Sequence, residues 1–298
     1  MPTKSTPKAL IIAMYDLKVA HISGDQELNQ DDVVSRGDRF FLKSTGRPAT
    51  GRLSVHRDDG ALQFRFKIFN GEKHGLFEQF YPSGELVHWS YFSRNKQDLY
   101  EEWFDKQGRL LRSNCWHEGQ LHGRCEQYVL GRLSATREYK HGRKHGLWES
   151  YGARKVTLFH GRYVNNECDG WHIWRHENNK RAAEYHYELG VKTGRWRTFY
   201  ESGAVKRERT YKAGIVVGED KTFYKDGGIS RSVPYRDGEV DGVCFDYHPN
   251  GKLKTSTPLK KSVRDGFERH YDRALNLRRE VEWRNNKAVS DLNFLLGI

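Results

Sequence analysis

No apolar stretch in this 298-residue chain is long enough to span a membrane. The run from Ala9 to Tyr15 covers only seven residues. It follows Lys4 and Lys8 in the manner of a signal peptide, but Asp16 ends it and no small-residue cleavage site follows. Cysteine is scarce: Cys115, Cys125, Cys168 and Cys244 fall in separate segments without paired spacing, which excludes a disulfide framework. A reduced, cytoplasmic protein is the expectation. No stretch reads as a helix. Also missing are a Gly-x-Ser-x-Gly elbow, a phosphate loop and a dinucleotide fingerprint. The adjacent acids Glu101-Glu102 and Asp58-Asp59 point to opposite strand faces or sit in turns, so neither makes an acid–base pair. The sequence therefore predicts no enzyme and no cofactor.

What is present is a strict repeat. A strand–turn–strand phrase recurs every 24 residues, anchored at Gly51, Gly75, Leu99, Gly123, Gly146, Gly170, Gly194, Gly218, Gly242 and Gly266, with one 23-residue interval from Gly123 to Gly146. Leu99 alone replaces glycine. Two positions after the anchor comes a bulky or apolar residue in most units, such as Leu53, Phe77, Trp148 or Trp196, and five after it an aromatic such as Phe80, Tyr151 or Phe199. Nine after it stands a turn glycine in Gly60, Gly84, Gly108, Gly203, Gly227 and Gly251, following Asp, Ser, Asn or Gln in hairpin style. Alternating runs such as Leu62-Gln63-Phe64-Arg65-Phe66-Lys67-Ile68 have the period of a strand with one buried face.

Each unit is thus one β-hairpin, and the fold class is all-β: an elongated, twisted or curved single-sheet array of about ten hairpins, solenoid-like. With strands ~4.8 Å apart, such an array would run roughly 95 Å. A lone hairpin is not stable, so stability must come from aromatics stacking between units. The expected organisation is an N-terminal cap over 1–37, the repeat array over 38–290, and a C-terminal cap over 291–298 containing Phe294, Leu295 and Leu296. Caps cover the strand edges that an open array exposes.

Acidic residues are fewer than basic ones, 39 against 51, giving a net charge of +12. The first fifty residues hold seven Lys/Arg and six Asp/Glu, so about +11 belongs to the array. Such a surface suits an acidic protein, nucleic acid or anionic lipid headgroups, and solvated strand faces also need charge. Fourteen histidines invite a metal site, but His74, His122 and His145 occupy one repeat position in separate units, too far apart to share an ion. His172 and His176 would lie roughly 13 Å apart on a strand. No metal is expected. The unit containing Trp171, His172, Trp174, Arg175 and His176 departs most from its neighbours. Trp and Arg are the residues most enriched where partners bind tightly. With Trp89 and Trp116 on earlier second strands, these residues form the candidate partner-binding set; the competing reading is that they fill the interior.

The unit Asn70-Gly71-Glu72-Lys73-His74-Gly75-Leu76-Phe77, continued by Phe80-Tyr81-Pro82-Ser83-Gly84-Glu85-Leu86, resembles the MORN-variant repeat of YwqK-type bacterial antitoxin proteins. The resemblance covers about residues 38–290. Departures are Leu99 at an anchor, the short turn Val129-Leu130-Gly131, Lys155 and Lys180 where turn glycines belong, and Leu275 in the last unit. It implies an antitoxin or immunity protein that neutralises a toxin or effector with an acidic surface by direct binding. Repeats of this general kind are also associated with membrane lipids and scaffolding. The family brings no catalytic residues.

Overall fold

A computed structural model describes residues 26–294. The apolar run from Ala9 to Tyr15 and the extreme C-terminus lie outside the described residues. The expectation of an all-β chain of hairpins holds, and a single 3-10 turn, Gln30–Asp32, is the only helical element among the described residues. The chain divides into two compact units, Met1–Gly146 and Leu147–Ile298. The boundary falls at the anchor that closes the one 23-residue interval.

In the first unit, strands pair antiparallel with their chain neighbours from Gly51–His56 through Leu62–Phe69, Glu72–Phe80, Leu86–Ser93, Lys96–Phe104 and Leu110–His117 to Gly123–Val129 and Arg132–Lys140. The short strand Glu27–Leu28 runs parallel to Gly51–His56. Arg39–Leu42 does not join this ladder. It pairs with Val33–Arg36 in a separate two-stranded sheet. That hairpin closes a small apolar core of Leu28, Val33, Ala49, Leu53, Phe66 and Ile68, with Phe40, Phe64 and Phe77 packed against it.

The second unit repeats the scheme. Thr157–Val164, Glu167–Arg175, Arg181–Glu188, Val191–Phe199, Val205–Lys212, Ile215–Phe223 and Ile229–Arg236 pair in chain order. Gly242–Tyr247, Leu253–Lys260, Gly266–Tyr271, Leu277–Arg284 and Lys287–Asn293 continue it. Most hairpins carry a register shift at the same place, just before the turn, as at Thr198/Phe199, Thr222/Phe223 and Asp246/Tyr247. A bulge there adds twist and re-aims the side chains that follow.

The turns explain the glycine code. Gly84, Gly203 and Gly251 have φ of 96°, 90° and 79°, which side chains with a Cβ resist. Where glycine is missing, three other residues take the same conformation: Lys155 at φ 60°, Asn179 at 66° and Leu275 at 79°. The left-handed position of that middle turn therefore belongs to Asn179 and not to Lys180. Lys180 instead donates from Nζ to the Ser202 carbonyl at 2.7 Å, beside an Asn178 Nδ2 bond to the Glu201 carbonyl at 2.8 Å. Lys252 and Asn250 repeat these two bonds three repeats later. At the anchor, Leu99 adopts φ 60° in place of glycine.

Neighbouring repeats are also tied by a side chain six places after the anchor. Tyr81, Tyr200 and Tyr224 donate to the carbonyls of Phe104, Phe223 and Tyr247, at 3.2, 2.7 and 2.6 Å. His248 Nε2 donates in the same way to Tyr271 at 2.9 Å. Each bond stabilises the array by pinning one turn to the next strand end.

Candidate partner-binding surface

Side chains alternate between the two faces of each strand, and the unusual unit around Trp171 divides accordingly. His172 and Trp174 lie on one face, Trp171, Ile173 and Arg175 on the other. The first face of the second unit is an aromatic row. Trp148 meets Tyr163 at 5.0 Å between ring centroids, Tyr163 meets His172 at 5.1 Å, and His172 meets Tyr187 at 5.2 Å. Trp174 packs on Tyr185 at 5.2 Å, Tyr185 stacks on Trp196 at 4.3 Å, and Trp196 reaches Tyr211 at 4.8 Å. This is the inter-unit stacking that a single hairpin needs from its neighbours.

His172 is buried in this row, 1% exposed, and its Nε2 donates to the Arg162 carbonyl at 2.8 Å. Burial pushes its pKa down. His176, placed at the inter-repeat tie position, contacts the Phe199 carbonyl at 3.4 Å through Nε2. His172, Trp174 and His176 therefore serve the array, whereas Trp171 and Arg175 face outward.

The row ends on charge. Asp220, 4% exposed, occupies the position that Trp196 fills one repeat earlier. It accepts from Arg207 Nε at 2.9 Å and from Arg209 Nε at 2.9 Å. Burial alone would raise the Asp220 pKa, but the two guanidiniums outweigh it and hold it low. Beyond it opens a polar cleft of about 660 Å³ lined by Arg231, Asp246, Thr255, Glu268 and His270 among others.

In the first unit, Trp89 and Trp116 both act as donors to carboxylates. Trp89 Nε1 reaches Glu102 Oε2 and Trp116 Nε1 reaches Glu101 Oε2, each at 3.2 Å. Glu101 and Glu102 do point to opposite faces. Glu101 is buried and accepts from His88 Nε2 at 3.1 Å and Asn114 Nδ2 at 2.7 Å. Burial works to raise its pKa, yet these donors bring it down to about 2. His88 in turn stacks on Trp103 at 4.0 Å.

The three histidines of one repeat position do not meet, but His122 meets others. Its ring lies 5.6 Å from His117 and 4.8 Å from His141. Burial and the neighbouring His141 and His117 depress its pKa. No group of three or more His, Cys, Asp or Glu among the described residues is arranged to hold a metal ion. Sequence spacing hid this cluster because it is built from the turn at His141 and the strand end at His117. Cys125 and Cys244 are buried fillers of the position taken by Phe77 and Trp196, and burial raises both thiols.

On the outward face of the second unit, Trp171 is 48% exposed and touches His186 edge-on at 4.8 Å. Four residues along, Arg175 borders an open pocket of about 620 Å³, whose lining includes Arg154, Lys155, Thr157, His160 and Asn179. Of these, only Arg175 belonged to the expected set. The legible trace of the rest was Lys155, standing where a turn glycine recurs.

A family model for the MORN repeat variant matches residues 73–91, 192–213 and 240–261. These three matches support a MORN-repeat protein. No curated protein matches the chain. Among solved structures, the crystal structure of TcdB2-TccC3-TEV is similar at 10% identity over 80% of this chain and 15% of that one, with a TM-score of 0.19. The structure of a Photorhabdus luminescens Tc holotoxin pore is similar at 11% identity over 80% of this chain and 14% of that one, also at 0.19. The chain thus spans about 15% of the length of the solved chain that it matches in the first of these. No helix among the described residues is long and apolar enough to cross a membrane.

Proposed function

We propose that the chain is a non-enzymatic binding module that neutralises a protein toxin or effector by occupying its surface, as an antitoxin or immunity protein does. MORN repeats bind proteins or lipids, which sets the two classes to choose between. The observation that carries the protein reading is Trp171, half exposed on the outward face that further along the strand carries Arg175, where the repeat's own packing does not require it. An exposed tryptophan on a face that also carries arginine has the composition of a protein hot spot. The basic excess supplies long-range attraction for an acidic partner and raises its association rate.

The test is co-expression with each gene product encoded beside this chain, read as growth. One neighbour that arrests growth alone and is tolerated with this chain supports the reading. No toxic neighbour, or toxicity unchanged by the chain, contradicts it. The alternative, peripheral attachment to anionic lipid, predicts instead retention on phosphatidylserine vesicles that is lost as salt rises.

A further inference from the structure

The geometry points to the pocket between the turn at residues 152–155 and the strand Glu167–Arg175 as a carboxylate-binding site that receives an acidic peptide segment of the partner. This rests on the protein-binding reading above and names where the partner's acids would sit.

Four observations converge there. The first is uncompensated charge. Most other arginines of this unit are matched to acids, among them Arg197 with Glu208 at 3.0 Å, Arg269 with Glu280 at 2.6 Å and Arg279 with Asp291 at 2.7 Å. Among the described residues, Arg154, Lys155 and Arg175 are paired with no carboxylate, and Arg175 donates only to the Asn179 carbonyl at 3.1 Å. The second is that the carboxylate lining the pocket is already engaged. Glu149 accepts from His160 Nδ1 at 3.0 Å and from Tyr151 Oη at 2.7 Å. Glu177 also lies near, against Gly152, without an ion pair to the three cations.

The third is the turn itself. Lys155 holds φ at 60° at the place where six other turns carry glycine, which puts a cation where those turns have no side chain. The fourth is size and surroundings. A pocket of about 620 Å³ exceeds what one bare ion fills and lies within the usual range of ligand sites. Asn179 stands beside the cations, and Trp171 lies four residues from Arg175 on the same face. Guanidinium forks bind carboxylates bidentately, so two arginines and a lysine suit two or more neighbouring Asp or Glu side chains.

Hexaglutamate carrying a fluorophore is the probe, and anisotropy on the full chain is the readout. The triple variant Arg154→Ser, Lys155→Gly, Arg175→Ser is expected to weaken binding by at least about tenfold, from three partly exposed ion pairs. A second triple variant, Lys225→Ser, Lys254→Ser, Lys260→Ser, removes the same charge elsewhere on the unit and should leave binding within about twofold. Circular dichroism confirms that both remain folded. Equal weakening by the two variants would reduce the effect to net charge and overturn the site. Unchanged binding in the pocket variant, or loss only of binding to phosphatidylserine vesicles, would overturn it as well. The assay needs no toxin, so it fails or succeeds separately from the antitoxin reading.

Discussion

The phenol of Tyr200 donates to the main-chain carbonyl of Phe223, 2.7 Å away and 23 residues along the chain. The same geometry recurs from Tyr224 to Tyr247 and, with an imidazole donor, from His248 to Tyr271. A hairpin array has few fully buried residues, so these ties do part of the work that a deep core does in a globular domain. Tyr200→Phe keeps the ring and removes only the donor. The expected cost is about 1 kcal/mol, seen as a melting temperature lower by about 2–4 °C.

Asp220 offers a harsher case. Its buried carboxylate is shared by Arg207 and Arg209, and Asp220→Asn would leave two guanidiniums facing each other. Arg207 is half exposed, so water screens part of the loss. A destabilisation of about 2 kcal/mol is expected from the urea midpoint. Adding Arg209→Met to that variant should recover part of it, because the two changes share one interaction.

Acid should destabilise the chain in two windows. Burial depresses the pKa of His74, His122 and His172 below the ordinary 6.5. The unfolded chain then binds protons more readily than the folded one, so the stability present above pH 6.5 is lost as pH falls through the folded values. His172→Phe, which keeps an aromatic ring among Tyr163 and Tyr187, should flatten this window in melting curves taken from pH 7.5 to 5.5. The second window belongs to Glu101, held at about 2 against 4.5. It contributes about 3 kcal/mol above pH 4.5 that fades toward pH 2. Glu101→Gln should reduce that lower slope, the rest of which comes from other carboxylates held low, Asp220 among them.

Lys155→Gly should raise stability. The turn already sits at φ 60°, and glycine reaches that conformation without a Cβ penalty of about 1 kcal/mol. Thermal unfolding checks the gain. A fall in stability would mean that the Lys155 side chain contributes packing that outweighs its backbone strain.

Much of this fold is legible in the sequence. The 24-residue period placed the hairpins, because strand pairing and turn glycines impose local rules that every unit obeys. The site was less legible, for reasons visible at particular residues. Trp171 to His176 read as one cluster in the sequence, yet strand alternation sends His172 and Trp174 inward and Trp171 and Arg175 outward. Trp89 and Trp116 looked like surplus aromatics, but each is a donor to a carboxylate whose position only the register reveals. Arg154 lies on a turn that meets Arg175 across a hairpin, a juxtaposition that follows from the ladder and not from spacing.

The proposed mode of action is binding of one protein through the outward face around Trp171. Size-exclusion chromatography with light scattering would test it most directly, on the chain co-expressed with each neighbouring gene product and repeated with Trp171→Ala and the pocket variant. A one-to-one complex that persists at moderate salt, and that both variants weaken, is the predicted result. A complex indifferent to both variants would place the interface elsewhere, and the absence of any complex would contradict the account.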